Sequence, residues 1–286
     1  MITRRNALQK IAVSSAAVAL PRFLSANAFK NKDFYIGACD WSIGKKADLG
    51  AMELASKIGL DGVQVSLGTV ENNMHLRQRA IQKEYKKLSK KYGVKIGGMA
   101  IGELNRIPYK SDDRTDAWVS DSIDVAAELN CKVILLAFFG KGDIKNDIEG
   151  TNRVIEKLQK VAPKAERAGV ILGIESWLSA EEHVHIIDNV GSSHVKVYYD
   201  TANSHKMGYN IYEEIKWLGE DRICEFHMKE NGNLLGQGEV DFVKVKECLS
   251  AINYKGWMQI EGAIPEGGAV LESYQANLKF LNSFYS

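Results

Sequence analysis

Four residues that could ligate a metal ion occur at comparable positions in the second half of the chain. Each closes a short apolar run typical of a buried β-strand, and the four are Glu175, Asp200, His227 and Glu261. The gaps between them match the length of one strand–loop–helix–loop unit. In a barrel of parallel strands the carboxyl ends meet at one rim, where catalytic groups lie. The sequence therefore predicts that three carboxylates and one imidazole converge at that rim.

A site of this composition is rich in oxygen ligands and lacks thiolates. Such a set suits Mn²⁺, Mg²⁺, Co²⁺ or Zn²⁺ without singling out zinc, so we expect one divalent metal ion as cofactor, its identity open. For any one of the acids, a strand-end residue that caps the next helix or pairs with a lysine is an equal alternative. Four such residues on successive strands favour the metal site, because chance would have to place all of them at the same end.

Eight alternations of a strand and a helix are predicted along the chain. The first four strands are short apolar runs, at 34–38, 62–65, 94–99 and 132–137. The other four lead into the residues named above. Segments with helical spacing follow the strands, at 47–58, 76–92, 113–129, 148–168, 180–189, 211–218, 241–252 and 270–284. This alternation predicts a single-domain α/β protein, a (β/α)8 TIM barrel. An open doubly wound sheet is the alternative, but no GxGxxG motif follows the first strand.

Composition and charge exclude several classes of function. The 286 residues suffice for a barrel of about 250 residues plus a leader. The formal net charge is +1, and no stripe of Lys and Arg with interleaved aromatic residues is present, so nucleic acid is not expected as a partner. No apolar run reaches about 18 residues, so no membrane span is expected in the mature protein. A homo-oligomer is compatible with the sequence.

Residues 1–28 have the pattern of an export signal, which leaves residues 29–286 for the barrel. A start with two arginines precedes an apolar segment of small residues and a small-x-small cleavage motif. The segment 3–8 resembles a twin-arginine signal, although Ala7 and Gln9 stand where Phe and Lys are usual. An ordinary secretory signal and an amphipathic terminus on a cytosolic protein are the alternatives. We expect a periplasmic protein that is exported by the twin-arginine route.

The chain resembles the xylose-isomerase-like superfamily of sugar isomerases and epimerases, which are (β/α)8 barrels. The most specific part of the resemblance is the local sequence around the four strand-end residues: GIE ending at Glu175, YDT around Asp200, HMKE beginning at His227 and IEG around Glu261. The segment 236–242, GQGEVDF, resembles the GxGxxD turn of the family. The resemblance covers the whole mature chain and implies a metal-dependent enzyme that acts on a sugar or a sugar derivative.

With a sugar as substrate, the four residues divide into two roles. Glu175 and Glu261 would be the acid/base pair as well as ligands, whereas Asp200 and His227 would mainly hold the ion. The metal polarises the sugar carbonyl and eases removal of the neighbouring proton. A carboxylate on each face of the sugar would take and return that proton through a metal-bound enediolate. Return on the other face gives an epimer, and return to the neighbouring carbon gives an isomer.

Seven further residues are candidates for binding the sugar: Trp41, Arg106, Trp177, Glu181, Asn203, His205 and Lys229. Glu181 lies six residues after Glu175, where ketose epimerases of the family carry a substrate-binding carboxylate. The two tryptophans could stack on a sugar or belong to the core at the rim. Arg106 could bind a hydroxyl or an anion of the substrate. The alternative is an arginine exposed on the surface, where most arginines lie. Lys229 shares a strand face with His227 and could reach the site or pair with a neighbouring acid.

Two departures from the family pattern leave the substrate open. Asn203 stands three residues after Asp200, where family enzymes commonly have a histidine, and His205 is out of register. Gln64 ends the second strand, where family members often have an acid. DNA-repair endonucleases share the barrel, but the extra histidines of their three-zinc cluster are not in the corresponding loops of this chain.

The leading hypothesis is therefore a metal-dependent isomerase or epimerase of a sugar or keto-sugar derivative. One alternative is a lyase or dehydratase that uses the same metal site on inosose-like or 3-keto sugars, because the same proton removal can expel a leaving group. Another is a non-catalytic sugar-binding barrel. The two glutamates, Glu175 and Glu261, argue against the binder, since a binding protein needs no second carboxylate.

The export hypothesis gives a direct prediction. Replacing both arginines, Arg4→Lys with Arg5→Lys, should trap the precursor in the cytoplasm, because the twin-arginine route requires this pair. The measurement is immunoblotting of cytoplasmic and periplasmic fractions. Unchanged delivery of the double variant to the periplasm would rule out that route.

Overall fold

Eight parallel strands close into a barrel in the order in which they occur along the chain. The computed structural model describes residues 33–285. The strands are β1 (Phe34–Cys39), β2 (Gly62–Ser66), β3 (Lys95–Ile101), β4 (Val133–Phe138), β5 (Ile171–Ser176), β6 (Val195–Asp200), β7 (Ile223–Lys229) and β8 (Gly256–Glu261). β8 pairs in parallel with β1 and closes the barrel. The predicted (β/α)8 architecture is confirmed, and the predicted export segment lies outside the described residues.

Helices follow the strands on the outside of the barrel. They are α1 (Gly50–Ile58), α2 (Arg79–Tyr92), α3 (Arg114–Leu129), α4 (Ile148–Ala168), α5 (Ala180–Val190), α6 (Thr201–Lys206), α7 (Ile211–Arg222), α8 (Phe242–Ala251) and α9 (Val270–Tyr285). Gly59, Gly93 and Gly169, which the sequence marks as helix ends, each adopt a left-handed conformation with φ of 98°, 68° and 62°. Glycine adopts this conformation without steric cost, and it ends a helix. Over the described residues, no helix combines the length and apolar character that crossing a bilayer requires.

Apolar side chains fill both the space between strands and helices and the interior of the barrel. The larger cluster joins the outer strand faces to the helices. A smaller cluster contains Ala100, Leu135, Ala137 and Tyr198. Ala137 pairs with Glu175 across β4 and β5, so this smaller cluster shares the inner face with the predicted ligand. The barrel interior is therefore packed below the rim, as in other barrels of this type.

The ends of several predicted helices differ from the structure. The helix predicted at 47–58 begins three residues later, and the helix predicted at 211–218 ends four residues later. The helix predicted at 76–92 begins later, at Arg79, because Gln78 has an extended backbone (φ −81°, ψ 121°). The sequence predicts no helix directly after the sixth strand, where the structure has the short helix α6. The side chain of Asp200 accepts a hydrogen bond from the backbone N–H of Asn203 at 2.8 Å and so begins this helix.

The side chain of Asp40, directly after β1, links the loop that follows β1 to the end of β2. Its carboxylate accepts hydrogen bonds from the backbone N–H of Ser66 at 2.7 Å, from Ser66 Oγ at 2.6 Å and from the backbone N–H of Ala47 at 3.1 Å. The side chain is fully buried. Burial raises the pKa of Asp40 to about 6, against the opposing effect of these hydrogen bonds. Asp40 thereby fixes the loop after β1, including Trp41, relative to β2.

This raised pKa predicts a pH-dependent contribution to stability. Folded Asp40 keeps a proton between its ordinary value of 3.8 and about 6, where the unfolded chain has released it. Relative to Asp40→Asn, the wild type should therefore lose stability as the pH rises through this range, by up to about 3 kcal/mol. Denaturant unfolding of both proteins between pH 4 and 7 measures this difference. A difference that stays constant over the range would contradict the assignment.

Candidate metal centre and active site

The structure brings the four predicted ligands together at the carboxyl ends of β5 to β8. One potential ligand atom from each of Glu175, Asp200, His227 and Glu261 lies within 4.8 Å of the others. His227 Nδ1 is 2.9 Å from Glu175 Oε1, 3.4 Å from Glu261 Oε2 and 3.7 Å from Asp200 Oδ2. Glu175, Asp200 and His227 are buried, and Glu261 is partly exposed. The cluster thus opens to the rim on the side of Glu261.

Unused lone pairs in this cluster fit a divalent cation. One oxygen of Asp200 begins α6, which leaves Oδ2 directed at the cluster. Within the described part of the chain, neither Asp200 Oδ2 nor Glu261 Oε2 accepts a well-directed hydrogen bond, although both are buried. Lys229 Nζ makes ion-pair contacts with them, at 3.4 Å and 2.9 Å. Beyond these contacts with Lys229, the two oxygens keep unfilled acceptor capacity, which fits an added cation, and the donor set suits Mn²⁺, Mg²⁺, Co²⁺ or Zn²⁺.

The electrostatics of the cluster also favour an added positive charge. Burial raises the pKa of Glu175 to about 7, helped by the neighbouring Glu261 and Asp200 and opposed by His227. Burial works against ionisation of Asp200 as well, but Lys229 and His227 outweigh it and lower the pKa of Asp200 to about 2. Burial disfavours the charged form of His227, but the surrounding carboxylates raise its pKa well above the ordinary value. A divalent cation in the site would offset the repulsion among the three carboxylates.

A cavity of about 310 Å³ lies over the cluster. Its lining residues come from the loops and strand ends at the rim, and they are Trp41, Lys46, Ser66, Ala100, Gly102, Asn105, Leu135, Ala137, Phe139, Glu175, Trp177, Asn203, Lys229 and Glu261. One side is charged and polar, and the other consists of small apolar and aromatic side chains. The size and this division suit a small organic molecule that is held by a few polar groups.

Four of the seven predicted substrate-binding residues line this cavity. The indole N–H of Trp41 donates to Glu261 Oε1 at 2.6 Å, so Trp41 orients this carboxylate in addition to forming a wall. Trp177 packs edge-to-face against Phe139, with ring centroids 4.9 Å apart. Asn203 is buried at the start of α6. Lys229 combines the two roles considered for it, because it lines the cavity and pairs with the acids.

The other three candidates lie away from the cavity. Glu181 is exposed in the first turn of α5 and lines a separate surface cleft. There the neighbouring Glu182, not Glu181, closes the capping box that begins the helix. His205 Nδ1 lies 3.8 Å from Glu239 Oε2. Arg106 is half exposed and pairs with two glutamates, so it is a surface arginine and not a residue of the cavity wall. The structure therefore does not place these three side chains where the proposed sugar would bind.

Several cavity residues were not anticipated from the sequence. Ser66 lies two residues after Gln64 on β2, and the two-residue period of a strand could have shown that both face inwards. Ala100 and Ala137 are short side chains that leave the cavity open, and no local pattern marks them. Lys46 comes from the loop that Asp40 fixes, and only the folded rim brings it to the opening.

Comparison with known proteins assigns the chain to a family. The family model described as a xylose isomerase-like TIM barrel matches residues 52–284. The chain belongs to this family. A segment of 137 residues is 30% identical to D-psicose 3-epimerase of Enterocloster bolteae, covering 44% of this chain and 45% of that enzyme. The chain thus spans about half the length of this curated relative in the match.

Solved structures with the same fold include sugar epimerases. D-Psicose 3-epimerase from Clostridium cellulolyticum H10, solved with D-tagatose, superposes with a TM-score of 0.75 at 19% identity, over 88% of this chain and 99% of that one. The 3-keto-D-glucoside 4-epimerase YcjR from E. coli superposes with a TM-score of 0.68 at 16% identity, over 87% of this chain and 99% of that one. At these identities the likeness establishes the fold.

The metal assignment predicts the behaviour of ligand variants. Asp200→Ala and His227→Ala should each lose the bound ion and lower the melting temperature in the presence of metal, because an ion that binds only the folded state stabilises it. Elemental analysis and thermal unfolding with and without added Mn²⁺ measure both effects. Asp188→Ala, at an exposed position of α5, is the matched control and should behave like the wild type. Equal metal content in all four proteins would contradict the assignment.

Proposed function

We propose that this protein is a metal-dependent epimerase or isomerase of a sugar or keto-sugar derivative. The observation that carries the proposal is the placement of two glutamates at one cavity, Glu175 on β5 and Glu261 on β8. Two strands separate them around the barrel, so the carboxylates approach a molecule in the cavity from different directions. Removal of a proton by one carboxylate and its return by another is what epimerisation requires. The family match and the epimerase relatives support this reaction class.

The surroundings of the two glutamates suit acid/base work. Without a bound ion, burial raises the pKa of Glu175 to about 7, so its carboxylate holds a proton more readily than an exposed glutamate does. Glu261 is held by the Trp41 N–H and by Lys229, 2.9 Å away, which fix the direction of its carboxylate. Each glutamate is thus positioned before a substrate enters, which reduces the reorganisation needed during proton transfer.

The remaining groups serve binding and the exclusion of water. A bound divalent ion, held by Glu175, Asp200, His227 and Glu261, would supply polarisation of the sugar carbonyl, which lowers the barrier to removing the adjacent proton. Asn203 and Ser66 offer hydrogen bonds to sugar hydroxyls at the cavity wall. Trp41, Phe139 and Trp177 offer apolar faces on which a sugar ring can stack.

The proposed place of action is the periplasm. This part of the proposal rests on the signal-like pattern of residues 1–28 and on the division at residue 29. A sugar without a phosphate group is the expected substrate in that compartment. Gly102 is the one glycine among the described residues that line the cavity, so these residues form no glycine-rich loop of the kind that binds phosphate at a helix N-terminus.

Glutamine variants test the acid/base roles separately from metal ligation. Glu175→Gln and Glu261→Gln keep the shape and one ligand oxygen but remove the base, so each should retain metal and lose turnover by at least about 10²-fold. The substrates are a panel of ketohexoses and 3-keto-glucosides, followed by NMR in D₂O with metal content measured on the same samples. Glu149→Gln, at an exposed position in the first turn of α4, is the control.

The pattern of deuterium incorporation separates the rival functions. An epimerase or isomerase puts solvent deuterium on the sugar carbon, and one glutamine variant should still exchange the proton in one reaction direction without forming product. A lyase would release water or an aglycone, and a binding protein would do neither. Wild-type turnover in either metal-loaded variant would refute the acid/base role of that glutamate.

A further inference from the structure

A chain of buried polar side chains lies directly beneath the metal cluster, inside the barrel. Gln64 Oε1 is 2.8 Å from His227 Nε2, and Gln64 Nε2 donates to Tyr198 Oη at 3.0 Å. Tyr198 in turn donates to Glu225 Oε2 at 3.1 Å. Each of these side chains is 2% exposed or less. The proposed reaction uses neither Gln64, Tyr198 nor Glu225, so their arrangement calls for a separate explanation.

The direction of these hydrogen bonds fixes the orientation of the Gln64 amide. Tyr198 has a single proton, which it donates to Glu225, so its oxygen accepts from the NH₂ group of Gln64. The amide oxygen therefore faces His227. The Cys39 thiol also donates to this oxygen, at 3.2 Å, and its sulfur lies 3.3 Å from His227 Nε2.

An amide oxygen can only accept, so it requires a proton on His227 Nε2. A histidine that ligates a metal ion is a neutral imidazole with one N–H, so in the ligated form this N–H is on Nε2 and Nδ1 is the nitrogen free to ligate. Nδ1 is also the nitrogen that faces Glu175, Asp200 and Glu261, at 2.9 to 3.7 Å. We propose that Gln64 is a positioning residue that holds His227 in the orientation and tautomer needed to ligate a metal ion through Nδ1.

The backbone of β3 leaves room for Gln64 and Glu225. A Cβ atom at Gly98 would lie 3.0 Å from Glu225 Oε2 and 3.3 Å from Gln64 Cγ. A larger residue there would press on both side chains.

Metal affinity tests this role without any assay of turnover. Hydrogen-bond partners of metal-bound histidines typically contribute about 10- to 100-fold to affinity, so Gln64→Leu should weaken Mn²⁺ or Zn²⁺ binding by that factor. Gln64→Glu keeps an acceptor oxygen and should bind metal within a few-fold of the wild type. Gln82→Leu is the matched control. It removes another buried glutamine amide, which donates to Leu76 O at 2.9 Å on the helix side of the barrel, and should leave metal affinity unchanged.

A spectroscopic measurement separates orientation from packing. In the Zn²⁺-loaded wild type and in Gln64→Glu, the Nε2–H proton of His227 should be hydrogen-bonded, shifted downfield and slow to exchange. It should exchange rapidly in Gln64→Leu. Tyr198→Phe, which frees the amide to turn over, should lower metal affinity by a smaller factor than Gln64→Leu.

The outcomes distinguish this inference from the proposed function on which it rests. Wild-type protein that binds no divalent metal would overturn both. Metal binding by the wild type with equal affinity in Gln64→Leu would overturn the role of Gln64 alone. An equal loss in Gln64→Leu and Gln64→Glu would also overturn it, because loss of packing, not of an acceptor, would then be responsible. Melting of the metal-free variants shows whether each is folded.

Discussion

The repulsion among three carboxylates in one buried site is the constraint on which the rest of the rim depends. Glu175, Asp200 and Glu261 surround His227 Nδ1 within 3.7 Å, and burial makes each negative charge costly. Two positive groups offset this repulsion. Lys229 pairs with two of the acids, and the pKa of His227 is raised well above its ordinary value. Lone pairs on the carboxylate oxygens remain unused beside these two groups. A divalent cation is the partner that best matches those lone pairs.

Residues around the cluster hold it in place through contacts that serve two purposes at once. Asp200 begins α6 with one oxygen and directs the other at the cluster. Trp41 forms a cavity wall and donates a hydrogen bond to Glu261. Asp40 ties the loop that carries Trp41 to β2. The fold therefore positions the carboxylates by side chains whose own orientations are fixed, which is the condition for a preorganised site.

The cavity above the cluster has a charged half and an apolar half, and the two halves suit different purposes. The charged half can hold a metal ion and transfer protons, whereas the apolar half, with Ala100, Leu135 and Ala137, can only shape what enters. In (β/α)8 enzymes generally, reacting groups come from the strand ends, and variation of the loops changes the chemistry that the fold supports.

The sequence by itself determined the barrel and the four ligand candidates, because both depend on local patterns: apolar runs, helix-ending glycines and a polar residue at each strand end. It did not determine which loop residues reach the cavity. Glu181 lines a separate surface cleft, His205 lies beside Glu239, and Arg106 pairs with two glutamates. The link from Gln64 to His227 joins residues 163 positions apart. Such a contact forms only when the barrel closes, because closure turns the inner faces of β2 and β7 toward the same interior.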